Sequence, residues 1–88
     1  MDRIAAIKER INEQLQPIQL DIVDESHLHA GHSGHGGAGH FAVTLTAEAF
    51  NGKKLIERHR MVYLAVDDLM KTEIHALSIK AISTDETE

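Results

Sequence analysis

The pattern of apolar and polar positions predicts a small α+β fold. Apolar residues recur at helical spacing in two long segments, and they alternate with polar residues, as in a half-buried strand, in three others. The predicted elements, in order, are a helix over 2–15, strands over 18–23 and 40–46, a helical turn over 47–50, a helix over 53–70 and a strand over 74–82. Asp2 is placed to cap the first helix, and Pro17 follows its end.

The order of these elements predicts their arrangement. The first two strands, joined by a long loop, form an antiparallel hairpin, whereas a strand–helix–strand crossover makes the last two parallel. We therefore expect one domain, α-β-β-α-α-β, with a three-stranded mixed sheet and helices on one face. The second long helix is expected to bury four apolar residues, with His59 on the same stripe. They are Leu55, Val62, Val66 and Leu69.

Composition limits the chemistry open to the chain. Its 88 residues contain no cysteine, so disulfides and thiolate metal sites within the chain are excluded. Apolar residues make up 42% and charged residues 26%, as in ordinary globular proteins. Neither an apolar leader nor a run near the ~20 residues of a membrane helix is visible, so we expect a cytoplasmic protein without a membrane. The net charge of −5 weakens non-specific binding to nucleic acid.

Histidine is the conspicuous residue type, with seven in the chain. The segment 27–39 holds four of them and five glycines, which predicts an exposed loop. His29, His32 and His35 in this loop are candidate metal ligands, although closely spaced loop histidines bind divalent metals weakly in any case. His27 and His40 lie at strand ends, where a structural hydrogen bond explains them as well as ligation does, so the predicted site omits both. The polar tail is predicted to span 83–88.

A basic segment surrounds the start of the second long helix. Lys53, Lys54, Arg58 and Arg60 fall within eight residues, with His59 among them. Arg58, His59, Arg60 and Tyr63 could together hold a phosphate, a glutathione carboxylate or an acidic patch of a partner. The competing interpretations are a solvated cationic face and, for His59, a buried histidine with satisfied hydrogen bonds.

Five motifs in series, DESHLH, HF, F-x-G-K, RHRMVY and IHALSI, resemble the BolA family from about Ile4 to Ile82. The resemblance implies a fold similar to the class II KH domain and no catalysis by this chain. It also implies a heterodimer with a monothiol CGFS glutaredoxin, and a bridging two-iron two-sulfur cluster that is shared with glutathione, for cluster transfer or iron-dependent regulation.

The same resemblance implies the ligands. The histidine before the last strand matches His75, and the loop ligand of the DES-x-x-H pattern matches His29. The loop departs from the family by reading AGHSGHGGAG, which supplies His32 and His35 as alternates. Two imidazoles replacing two thiolates on one iron would resemble a Rieske centre.

Two other functions remain open at this point. A nucleic-acid-binding regulator is favoured by the KH-like order and the basic segment, but Gly52-Lys53-Lys54-Leu55 lacks the second glycine of a KH loop. The second open function is storage or sensing of a divalent metal by the histidine-rich loop alone. We expect that the chain is not an enzyme, because no nucleophile–base pair or phosphate-binding motif is present.

Overall fold

A computed structural model describes residues 2–25 and 39–86. The predicted α+β fold is confirmed: three helices and a three-stranded mixed sheet enclose one core. The elements are α1 (Arg3–Leu15), β1 (Gln19–Asp24), β2 (Gly39–Ala47), a 3₁₀ turn (Glu48–Phe50), α2 (Leu55–Ala65), α3 (Asp67–Met70), β3 (Ile74–Ser83) and a second 3₁₀ turn (Thr84–Glu86).

Helix α1 has the two ends that the sequence predicts. The Asp2 carboxylate accepts a hydrogen bond of 3.1 Å from the Ala5 backbone N–H, which satisfies one free donor of the first turn. At the other end Gln16 adopts the left-handed conformation, with φ of 50°, and its N–H donates to the Asn12 carbonyl. The buried stripe of the helix faces the sheet and α2. It consists of Ile7, Ile11 and Leu15.

The sheet has β2 at its centre, so the strand order is β1-β2-β3. Strands β1 and β2 are antiparallel, and β2 and β3 are parallel, as predicted from the loop between the first two strands and the helical crossover between the last two. The register aligns Leu20 with Leu45 and Val43 with Ile79, so the apolar positions of all three strands share one face. Phe41, Val43 and Leu45 on the central strand are almost fully buried. The predicted alternation and topology are therefore confirmed.

The predicted helix over 53–70 is wrong in its boundaries. Helix α2 begins at Leu55, where the Glu57 carboxylate accepts a hydrogen bond of 2.8 Å from the Lys54 backbone N–H. The helix ends at Val66, whose φ of −111° and ψ of 19° leave the helical region before α3 begins. Three of the predicted core positions are confirmed as buried: Val62, Val66 and Leu69. Leu55, however, is 64% exposed, although it falls on the predicted apolar stripe.

Two ion pairs join α1 to the segment between α2 and β3. The Arg10 guanidinium lies 3.0 Å from the Asp68 carboxylate, and Arg3 lies 3.0 Å from Glu73. The hydrogen bond from Arg10 lowers the pKa of Asp68, and that from Arg3 lowers the pKa of Glu73. Because Asp68 is exposed and Glu73 is only partly buried, we treat these pairs as modest contributors to stability.

Residues 83–86 form secondary structure where the sequence predicted a polar tail. Strand β3 continues to Ser83, whose side chain is fully buried and hydrogen-bonded to Asp85. The Asn51 side chain accepts a hydrogen bond of 2.9 Å from the Thr84 backbone N–H. The predicted start of the tail at residue 83 therefore falls inside the fold, whereas residues 87–88 and most of the predicted loop 27–39 lie outside the described residues.

Candidate histidine site and the helix beside it

Two histidines meet at the amino ends of β2 and β3. Because these strands are parallel and adjacent, residues that open them lie at the same end of the sheet. The register shifts there by one residue: Gly39 pairs with Ile74, but His40 pairs with Ala76. His75 is the extra residue of this irregularity, and such bulges re-aim side chains next to functional sites. The irregularity places the His75 ring beside that of His40.

The two rings are close and differently exposed. Their centroids are 5.0 Å apart and their planes are tilted by 41°. His75 is exposed, whereas His40 is half-buried. Backbone hydrogen bonds fix the strand end that carries His40, since its carbonyl accepts from the Glu25 N–H at 2.7 Å and the Gly39 N–H donates to the Glu73 carbonyl at 3.1 Å. The pair is therefore held by the sheet, and His75 is accessible from outside, whereas the Nε2 atom of His40 is buried.

The spacing of this pair fits shared ligation of one metal ion. With a metal–nitrogen distance of roughly 2.1 Å, two imidazoles on one tetrahedral ion have centroids about 5 Å apart. Within residues 2–25 and 39–86, no group of three or more metal-binding side chains is present. The two histidines could thus supply half of a four-ligand site, and the remaining ligands must come from the undescribed loop or from another molecule.

Of the predicted ligands, only His75 falls among the described residues. His29, His32 and His35 lie outside them, as does His27. The structure adds His40, which the sequence interpretation left out of the site. A usable signal existed, because His40 and His75 each open a strand and the two strands were predicted to be parallel. Neighbouring parallel strands begin at the same end of the sheet, so this prediction already implied that the two histidines are neighbours.

The predicted anion-binding group on α2 is divided by the fold. Arg58 is buried: its Nε donates to the Lys53 carbonyl at 2.9 Å and its Nη1 to the Ala81 carbonyl at 3.2 Å. The Tyr63 hydroxyl donates to the Leu77 carbonyl at 3.2 Å. Leu77 and Ala81 belong to β3, an outer strand of the sheet. The side chains of Arg58 and Tyr63 therefore cover the unpaired edge of this strand and supply hydrogen-bond donors to its carbonyls. Arg58 therefore has a structural position instead of the predicted surface one.

His59 and Arg60 remain on the outer side of the helix. His59 is half-buried, between the two interpretations offered by the sequence, and Arg60 is exposed. Arg60 borders a shallow recess with a volume of about 270 Å³, which is lined by Tyr63, Leu64 and Asp67. The recess has one cationic and one anionic side chain around an apolar floor. Anion binding by His59 and Arg60 stays a prediction.

Comparison with known proteins identifies relatives along almost the whole chain. A profile of the family described as BolA-like protein matches residues 11–86. SufE-like protein 1, chloroplastic/mitochondrial, of Arabidopsis thaliana is 40% identical over 81 residues, which cover 85% of this chain and 22% of that protein. The DNA-binding transcriptional regulator BolA of Escherichia coli is 37% identical over 86 residues, covering 93% of this chain and 80% of that protein.

A solved structure agrees closely with the fold. The BolA domain of SufE1 from Arabidopsis thaliana superposes with a TM-score of 0.87 at 38% identity, covering 99% of this chain and 98% of that domain. The chain spans about a fifth of the full SufE-like protein 1, so the likeness to it is a likeness to one domain. In the described part of this chain, no helix is long and apolar enough to cross a membrane.

Proposed function

Because the chain belongs to the BolA family, we propose that it acts as the partner of a monothiol CGFS glutaredoxin and co-ligates a bridging two-iron two-sulfur cluster. His75 supplies one imidazole. His40 supplies the second from the described residues, and His29 is the alternative from the loop, with His32 and His35 after it. The glutaredoxin and glutathione supply the thiolates that a chain without cysteine lacks. The cluster is cargo for transfer or a signal of iron status.

The observation that carries this proposal is the pair of rings 5.0 Å apart at the end of the sheet. Imidazole is a ligand for iron as well as for zinc and copper, so the chemistry of the donors fits. When a cluster is bound, two imidazoles on one iron raise its reduction potential above that of an all-thiolate cluster. The chain itself has two tasks: it orients the imidazoles through the β2–β3 register, and it leaves His75 open to a second protein.

The test is reconstitution with a CGFS glutaredoxin, glutathione, iron and sulfide, followed by visible circular dichroism and by size-exclusion chromatography. We expect a heterodimer spectrum that differs from the spectrum of the glutaredoxin alone. His75→Ala should abolish it. His40→Ala and His29→Ala identify the second ligand, because only loss of a true ligand shifts the spectrum. Lys8→Ala, on the exposed surface of α1, is the control and should leave the spectrum unchanged.

The outcomes separate the possibilities. If the cluster spectrum survives in His75→Ala, the ligand assignment is wrong. If His40→Ala behaves as wild type while His29→Ala does not, the second imidazole comes from the loop. Thermal unfolding of each variant without a cluster shows whether a lost spectrum reflects a lost ligand or a damaged fold.

A second candidate is binding to DNA, which the name of the Escherichia coli relative favours. Lys53 and Lys54 are exposed immediately before α2, and Arg60 is exposed on the helix. Each phosphate that such residues contact contributes a salt-dependent term to the affinity. Fluorescence anisotropy with duplex DNA at low salt tests this function, with Lys53→Glu/Lys54→Glu as the variant. No binding at tens of micromolar protein, or unchanged binding by the variant, would reject it.

A further inference from the structure

The outer side of α2 carries an unusual share of exposed apolar surface. Six large apolar side chains are exposed among residues 2–25 and 39–86, and four of them belong to this helix. They are Leu55, Ile56, Tyr63 and Leu64. Leu64 is 75% exposed and Ile56 is 60% exposed. Scattered apolar residues on a surface need no explanation, but a cluster on one helix next to a recess indicates a contact surface.

The recess on this helix is electrostatically two-ended. Arg60 lies on α2 and Asp67 opens α3, and both side chains line the same recess. Tyr63 and Leu64, which lie between them in sequence, line the rest of it. A cation at one end, an anion at the other and apolar atoms between them define a surface that is complementary to its own copy turned end to end.

From this symmetry we infer that the α2 surface is a weak homodimer interface, in which two copies pack antiparallel about a two-fold axis. The axis passes between Tyr63 and Leu64. Arg60 of each copy then faces Asp67 of the other, so the same ion pair forms twice, and the two Leu64 side chains bury each other. This arrangement is isologous, as two-fold dimers are, and it closes without leaving a surface for further copies.

The expected affinity is low. A stable dimer buries about 800 Å² and 20–30 residues on each side, far more than the few side chains available here. We therefore expect a dissociation constant on the order of 0.1–1 mM. The inference does not depend on the proposed function, because neither His40 nor His75 takes part in the interface.

Sedimentation equilibrium between about 20 μM and 1 mM tests the inference on the apo protein. Wild type should shift from monomer towards dimer over this range. Leu64→Lys should remain monomeric, since it places two cations at the axis. Arg60→Asp should also remain monomeric, because each copy then presents two carboxylates to two carboxylates. The double variant Arg60→Asp/Asp67→Arg restores the complementary pairs and should dimerise within about threefold of wild type.

The double variant makes the test specific. A site for an unrelated partner has no reason to recover self-association when the two charges are exchanged. A wild-type protein that stays monomeric at about 1 mM would overturn the inference, and so would dimerisation that persists in Leu64→Lys. Failure of the double variant to recover would overturn the antiparallel arrangement. Far-ultraviolet circular dichroism of every variant confirms that its helices are intact.

Discussion

Replacement of Arg58 by alanine tests how β3 is held at the edge of the sheet. The guanidinium is buried and donates to the Lys53 and Ala81 carbonyls, at 2.9 Å and 3.2 Å. Ala81 is 6% exposed, so its carbonyl would lose a donor in a place that water reaches poorly. The neighbouring Arg60 offers a control on the same helix, because it has the same charge and is exposed.

The expected loss follows from these contacts. A hydrogen bond that involves a charged group contributes about 1.5–3 kcal/mol, and an unsatisfied buried carbonyl costs about 1–3 kcal/mol. Lys53 is exposed, so water can replace the donor to its carbonyl, and the two contributions do not add in full. We expect Arg58→Ala to lower the free energy of unfolding by about 2–4 kcal/mol. For a domain of this size, this corresponds to a fall in Tm of roughly 10–20 °C.

Urea unfolding followed by far-ultraviolet circular dichroism measures the loss. Arg58→Ala should lower the midpoint without changing the m-value, since the unfolded surface is the same. Arg58→Lys keeps the positive charge but cannot donate to both carbonyls as the guanidinium does. Its stability should therefore fall between that of wild type and that of Arg58→Ala. Arg60→Ala should lie within about 0.5 kcal/mol of wild type. If Arg58→Ala were as stable as Arg60→Ala, Arg58 would not hold the edge of β3, and its assignment to an anion-binding surface would return.

Three further predictions concern the same fold. Tyr63→Phe removes the hydroxyl donor to the Leu77 carbonyl and should cost about 0.5–1.5 kcal/mol in urea unfolding; no loss would show that the hydrogen bond contributes nothing. Gly52→Ala should cost about 1 kcal/mol by the same assay, because the φ of 77° strains any side chain although nothing lies within 4 Å of an added Cβ. The Arg10 hydrogen bond lowers the pKa of Asp68, so its stabilisation is present above the unfolded pKa near 4 and disappears as the pH falls through the folded value. Thermal melts of Asp68→Asn should therefore differ from those of wild type at pH 7, and the difference should shrink as the pH falls through the folded pKa; a constant difference would contradict this linkage.

The architecture could be predicted because its signals are local. Alternation identified three strands, and the kind of connection, a loop or a helical crossover, predicted their directions before any contact was known. The boundaries of α2 were less accessible, because apolar spacing continues through Val66 while the backbone turns there. Leu55 shows the same limit: it fits the apolar stripe, but spacing alone cannot show that the side chain is exposed in the fold.

The candidate site was predictable in part. The sequence predicted His75, at the start of the last strand, as a site residue. Its neighbour His40 follows from the parallel arrangement of β2 and β3. The one-residue shift between them depends on the register of two strands 35 residues apart in sequence, which no local pattern encodes. Arg58 was misplaced for a related reason. A cationic residue within a basic segment is typical of an exposed surface. Only the packing of α2 against β3 shows that the Arg58 guanidinium donates to backbone carbonyls.

The contacts of α2 with β3 also hold the backbone near His75 in place before a ligand binds. Tyr63 holds β3 at Leu77, two residues after His75, and the other edge of the strand is paired with β2 next to His40. The residues immediately before and after His75 are therefore both held by β2 before any partner arrives. A site assembled from two proteins loses affinity to every side chain that must be ordered on binding. Holding His75 in place would reduce that cost for the proposed function, in which this chain supplies imidazoles and another molecule supplies thiolates.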